Sequence, residues 1–170
     1  MNHPKFLNLL LVLLFFTFTV QGQQLLIRAG RFIDTNQKIV KKNVDILVEG
    51  DRIIKVGKNL KSASASIIDL SNKTVLPGLI DGHTHICLTP DYGSNPPVLY
   101  KTNTYRTMEA FKAAKQILMA GFTTIRDVDN EGADMADIAV RDAINEGMFL
   151  GPRIFVSGWA LSITGGHMNL

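Results

Sequence analysis

After Pro77-Gly78 the chain alternates short apolar runs with helix-patterned segments, and this alternation limits its fold more than any other feature. LIDGHTHICL (79–88), FTTIRDV (122–128) and PRIFVSG (152–158) read as strands. Thr107 to Ala120 places Met108, Phe111, Ala114 and Leu118 on one helical face, with Gly121 as its stop. Asp134 to Glu146 is a second helix, with Ala136, Ala139, Val140, Ala143 and Ile144 inward and Gly147 as its stop. Strand, helix, strand, helix, strand at this spacing predicts parallel βαβ units in an α/β fold. Their right-handed crossovers can build an open doubly wound sheet or a closed barrel. Three strands cannot close a barrel, which takes about eight. The chain also ends at Leu170 in mid-loop, so the expectation is the first third of a larger protein.

Upstream of the break the pattern is different. LLIRAG (25–30), RFIDT (31–35), DILVEG (45–50), DRIIKVG (51–57) and SIIDLSNKTVLPG (66–78) are short, β-rich and tightly turned. Glu49-Gly50-Asp51 separates two alternating apolar runs, a hairpin signal because Gly accepts the positive φ such turns need. At least four short strands predict a small sheet, or half of a β-sandwich, over residues 23–76. Residues 1–22 form a third segment. Lys5 precedes the apolar run Leu7–Val20, and Val20-Gln21-Gly22 offers small or medium residues where a signal peptidase cuts. This predicts a secretory signal peptide. The run falls short of the roughly 20 apolar residues of a spanning helix, which leaves an uncleaved anchor as the minor alternative. The expected organisation is therefore 1–22, 23–76 and 77–170. The mature protein is expected in the periplasm or outside the cell, with no stable membrane span after cleavage.

Hydrophobic content of 46% and charge of 19% fit a folded chain, and a net charge of +3 without a long basic run argues against nucleic acid as a partner. Cys87 is the single cysteine, so no intrachain disulfide forms; without an activating partner it reads as a buried small residue. Trp159 is expected in the core, the alternative being a place at the pocket mouth. Arg126 and Asp127 read as a structural charge pair at the end of the second post-break strand. Asp127 and Asp129 lack the repeat of oxygen ligands that a calcium loop requires.

His83 and His85 carry the chemistry. Side chains two apart on a strand project from one face, so both imidazoles point at one spot while Thr84 points away. Neutral imidazole is a good ligand for zinc and similar divalent ions. Spacing alone also allows an exposed or packed pair. The position at a strand end, after a Pro-Gly break and opening a βαβ series, favours the metal. Asp81 shares the histidines' parity, as outer support for a ligand or as a plain structural residue.

PGLIDGHTH, preceded by IIDLSNKTVLPG, resembles the opening of the metal-dependent amidohydrolase superfamily. GFTTIRDV, GPRIFVSG and TGGH resemble its imidazolonepropionase-like and Xaa-Pro dipeptidase-like branch, and the likeness covers residues 24–170. The resemblance implies an α/β fold: the N-terminal part of a (β/α)₈ barrel, preceded by a small β-sandwich segment that both chain ends build. It implies one or two divalent ions, zinc by expectation, that activate water to hydrolyse a C–N bond. The substrate would be a small molecule or dipeptide: an amide, a cyclic amide or an Xaa-Pro-type dipeptide. His83 and His85 would be the first-strand metal ligands. His167 matches a position that lines the substrate pocket, its alternative being a loop histidine satisfied by solvent. Further family ligands, a carboxylated lysine, two histidines and an aspartate, come from later strands, and no catalytic acid can be placed here. Two protein ligands would hold a metal weakly, because a catalytic zinc takes three. The other reading is thus a catalytically inactive fragment or binding module of the same fold, free to oligomerise.

Overall fold

The computed structural model describes residues 23–88 and 100–166. The proposed signal segment 1–22 and His167 lie outside the described residues. The chain divides into two compact units, Met1–Pro77 and Gly78–Leu170.

In the first unit, β1 (Gln24–Asp34), β2 (Ile39–Glu49), β3 (Arg52–Gly57) and β4 (Ser66–Val75) form one four-stranded sheet in the order β3-β2-β1-β4. LLIRAG and RFIDT are one continuous strand, since every residue of β1 except Gly30 pairs with β2. The β2–β3 hairpin turns at Gly50, whose φ of +58° is one an L side chain rarely adopts. β4 returns parallel to β1, and the register slips between Ala29 and Arg31. Gly30 sits at that slip, where a Cβ would run into the Ser71 carbonyl. Leu26, Ala29, Val44 and Ile46 are buried.

The second unit follows the predicted alternation: β5 (Leu79–Thr84), α1 (Asn103–Met119), β6 (Phe122–Asp127), α2 (Ala136–Asn145) and β7 (Arg153–Val156). Its strands are all parallel, in the order β5-β6-β7, and the sheet is open among the described residues. This is the α/β arrangement with which a (β/α)₈ barrel begins. Ile125 and Ile154 face the helices and close a core with Ile86, Cys87, Ala110, Ala114, Ala133, Ala136 and Val140.

The helices correct the sequence reading in detail. α1 begins at Asn103, ahead of Thr107, because the Thr102 side chain caps it by accepting from the Tyr105 N–H at 3.2 Å. Its buried face is Arg106, Ala110 and Ala114, while Met108 is 58% exposed. Phe111 and Ala114 pack in the core as expected, and only Met108 was misassigned, because the buried position near it goes to Arg106, a cation that finds backbone carbonyls. In α2, Ala136 and Val140 are buried as expected, Ala139 is exposed, and Asp137 is buried instead. Gly147 stops α2 with a φ of +77°. Trp159 is 57% exposed and is not a core residue. Among the described residues no helix is long and apolar enough to cross a membrane.

Candidate metal centre

Parallel strands bring their C-terminal ends to one edge, and the polar residues of the second unit gather there. β5 ends at Thr84, so His83 is its penultimate residue and His85 lies one position past it. Side-chain alternation nevertheless persists through His85, because Asp127 pins the chain on either side of it. Asp127 Oδ1 accepts the Ile86 N–H at 2.8 Å and the Thr84 hydroxyl at 3.3 Å. The Thr84 hydroxyl also reaches the Arg126 carbonyl at 3.1 Å, and the Val128 N–H donates to the Thr84 carbonyl at 3.1 Å. With Thr84 and Ile86 fixed toward β6, the two imidazoles are left on the other side. Asp81 Oδ1 accepts the His83 backbone N–H at 3.0 Å, so its support acts on the main chain and not on the ring.

The rings converge. His83 Nε2 and His85 Nε2 are 3.3 Å apart, with ring centroids 5.2 Å apart and planes inclined at 63°. Two donors each about 2.0–2.1 Å from a tetrahedral ion lie about 3.3 Å from each other. The pair therefore already has the edge length of such a site, and its donor chemistry suits a divalent ion.

Near the His85 ring stand two acids: Asp129, weighed from the sequence only as part of a calcium loop, and Glu131, which the sequence did not single out. One ligand atom each from His85, Asp129 and Glu131 lie within 4.8 Å of one another. Glu131 Oε1 is 3.2 Å from His85 Nδ1. That is ion-pair range but off the direction a ring N–H would take, so Nδ1 makes no hydrogen bond among the described residues. Asp129 is 3% exposed, and its Oδ2 is buried without a hydrogen-bond partner among the described residues. A signal for both acids was present in the sequence, since they follow the C-terminal end of a barrel strand, where active-site groups collect.

Arg126 and Asp127 do not pair. Neighbours on a strand point to opposite faces. Arg126 is exposed and donates from Nε to the Gly82 carbonyl at 2.7 Å, whereas Asp127 is fully buried. Burial is the main influence lifting the Asp127 carboxyl to about 7; Asp137 adds to it, while the Ile86 N–H, His85 and Thr84 hold it down. Cys87 is buried, and desolvation, reinforced by Asp127 and Asp137, pushes its thiol up to about 12. A thiol held in that form is an inert packing group, as expected.

Residues 74–168, more than half of the chain, match the Amidohydrolase family. The chain belongs to that family. Among solved structures it is similar to a Xaa-Pro dipeptidase with bound methionine in the active site, at 34% identity and a TM-score of 0.76, over 86% of this chain and 36% of that one. Among curated relatives it is 42% identical over 65 residues to a 5′-deoxyadenosine deaminase of Methanothrix thermoacetophila, 38% of this chain and 15% of that protein. It is 46% identical over 63 residues to a dihydroorotase of Lactococcus lactis subsp. lactis, 36% of this chain and 14% of that protein. The chain thus spans well under half the length of the relatives it matches. Members of the amidohydrolase superfamily hydrolyse C–N bonds and typically bind a divalent metal.

Proposed function

We propose that the protein is a divalent-metal hydrolase of Xaa-Pro-type dipeptides, with His83 and His85 holding the ion and zinc as the ion of choice. The observation that carries the metal reading is the 3.3 Å approach of the two Nε2 atoms at the C-terminal edge of a parallel sheet. The dipeptide class is favoured over a cyclic amide or an amine by the likeness to the Xaa-Pro dipeptidase, which runs over 86% of the chain at 34% identity and a TM-score of 0.76. When bound, the ion supplies a Lewis acid that polarises the amide carbonyl and lowers the pKa of water. The protein's own part is placement. Thr84 and Ile86, tied to Asp127, fix the backbone so that both imidazoles present Nε2 to one point.

A second reading is a non-catalytic module of the same fold, in which the histidine pair binds an ion without turnover. One experiment separates the readings. The purified protein is assayed for bound metal and for hydrolysis of Xaa-Pro dipeptides, dihydroorotate and 5′-deoxyadenosine. The enzyme reading expects metal and dipeptide turnover, both lost in His83→Ala. Metal without turnover on any substrate supports the module. Unchanged metal content in His83→Ala removes the site.

A further inference from the structure

We propose that Glu131 is a positioning residue for His85: it accepts the Nδ1 proton of that ring and so leaves the Nε2 lone pair facing His83 and the ion. The inference rests on the reading of His83 and His85 as metal ligands. An imidazole that binds metal through one nitrogen carries its proton on the other, and an acceptor beside that second nitrogen selects the tautomer. Glu131 Oε1 stands 3.2 Å from Nδ1, on the side of the ring away from His83. No group among the described residues accepts a hydrogen bond from this buried nitrogen as it stands, so its proton awaits a partner. A small rotation of the carboxylate turns the contact into a hydrogen bond, and such bonds are often misaligned until the site is loaded.

The placement of Glu131 is built, not incidental. Its backbone has a φ of +54°, a left-handed conformation that a residue with a long side chain rarely takes. Such a conformation persists where the surroundings over-determine it, and it clusters at functional sites. Arg106 supplies the restraint. Its guanidinium, 1% exposed, donates from Nη2 to the Glu131 carbonyl at 2.7 Å and from Nε to the Cys87 carbonyl at 3.3 Å. One buried cation thus ties the residue bearing the carboxylate to the chain two positions beyond His85. Asn130 secures the same loop: its N–H donates to the Gly158 carbonyl at 3.1 Å and its Oδ1 accepts the Gly132 N–H at 3.0 Å. Asp129 is the competing acceptor, since its carboxylate lies in the same cluster.

The test compares the wild-type protein with Glu131→Ala, Glu131→Gln, Asp129→Asn and His83→Ala. Zinc affinity is measured by competition with a chromophoric chelator, and the His85 tautomer by long-range proton–nitrogen NMR on metal-free protein labelled at histidine. The expected wild-type tautomer is Nδ1–H. Glu131→Ala should give a mixture of tautomers and a 10–100-fold loss of zinc affinity. Glu131→Gln keeps a carbonyl acceptor at the same place, so it should retain the tautomer and most of the affinity. An Nε2–H tautomer in the wild type overturns the inference, as does a Glu131→Ala affinity within about twofold of the wild type. A tautomer shift in Asp129→Asn with none in Glu131→Ala gives the role to Asp129 and overturns it too. If Glu131→Ala does not fold, the wild-type tautomer and the Gln variant still decide. Unchanged affinity in His83→Ala defeats the underlying metal reading, whereas a loss there with none in Glu131→Ala defeats only the positioning role.

Discussion

Asp127 holds the end of β5 through one carboxylate oxygen, and its other oxygen is buried without a partner among the described residues. Burial favours the neutral acid, which is why the group sits near 7 in the fold against 3.8 for an ordinary aspartate. Because the folded value is the higher one, the stabilisation is complete below about 4 and is lost as pH rises through about 7. Asp127→Asn keeps an oxygen for the Ile86 N–H and cannot ionise. Its stability relative to wild type should therefore improve between pH 5 and pH 8, by an amount on the order of a few kcal/mol. Urea unfolding of the metal-free proteins at both pH values measures this. Parallel pH dependences would show that Asp127 does not titrate as its burial implies. The histidine pair was legible because period-two alternation is a local rule. The pin that extends the alternation past the strand was not, because it joins residues 41 apart in sequence. Nor was the separation of Arg126 from Asp127, although the same alternation applied to both.

Strand pairing in the first unit turns on a glycine that only the fold explains. Opposite Gly30 the register of β1 with β4 slips, passing from Ala29–Leu70 to Arg31–Thr74, so β4 carries extra residues there. The Ser71 N–H bonds to Asp69 Oδ1 at 2.9 Å, and the Ser71 carbonyl fills the space where a side chain at position 30 would begin. Gly30→Ala must therefore push a backbone group aside, an overpacking cost of about 1–3 kcal/mol or more. Gly50 is the comparison: its Cβ would meet open space, so Gly50→Ala carries only the left-handed backbone cost of about 1–2 kcal/mol. The expected result is a lower urea midpoint for Gly30→Ala than for Gly50→Ala, at equal slopes. The reverse order would mean that the slip is misplaced. Gly50 was predictable, since a turn between two alternating runs announces its glycine. Gly30 was not, because its neighbour arrives from about 40 residues away. The same limit applies to α1, where periodicity selected Met108 and tertiary contacts selected Arg106.

The second unit presents two unlike faces, and the difference bears on how the whole chain behaves. One face of β6 and β7, carrying Ile125 and Ile154, is sealed by the helices. The other carries Arg126 opposite Phe155 and Thr124 opposite Arg153, with Phe155 57% exposed, and on β5 Ile80 is 73% exposed. Parallel sheets are ordinarily covered on both sides, and in a closed barrel this second face is the packed interior. The alternation of strands and helices announced such a sheet, but it could not say which apolar residues would remain uncovered. The outer strands β5 and β7 each have one edge that pairs with no other strand among the described residues, a surface that other strands can join. The 170-residue chain expressed alone should therefore enhance the fluorescence of an apolar dye such as ANS and self-associate as its concentration rises. Light scattering across a dilution series, with dye binding in parallel, gives the result. A monodisperse monomer that leaves the dye dark would mean that this face is covered in solution, and the argument from an open interior would fall.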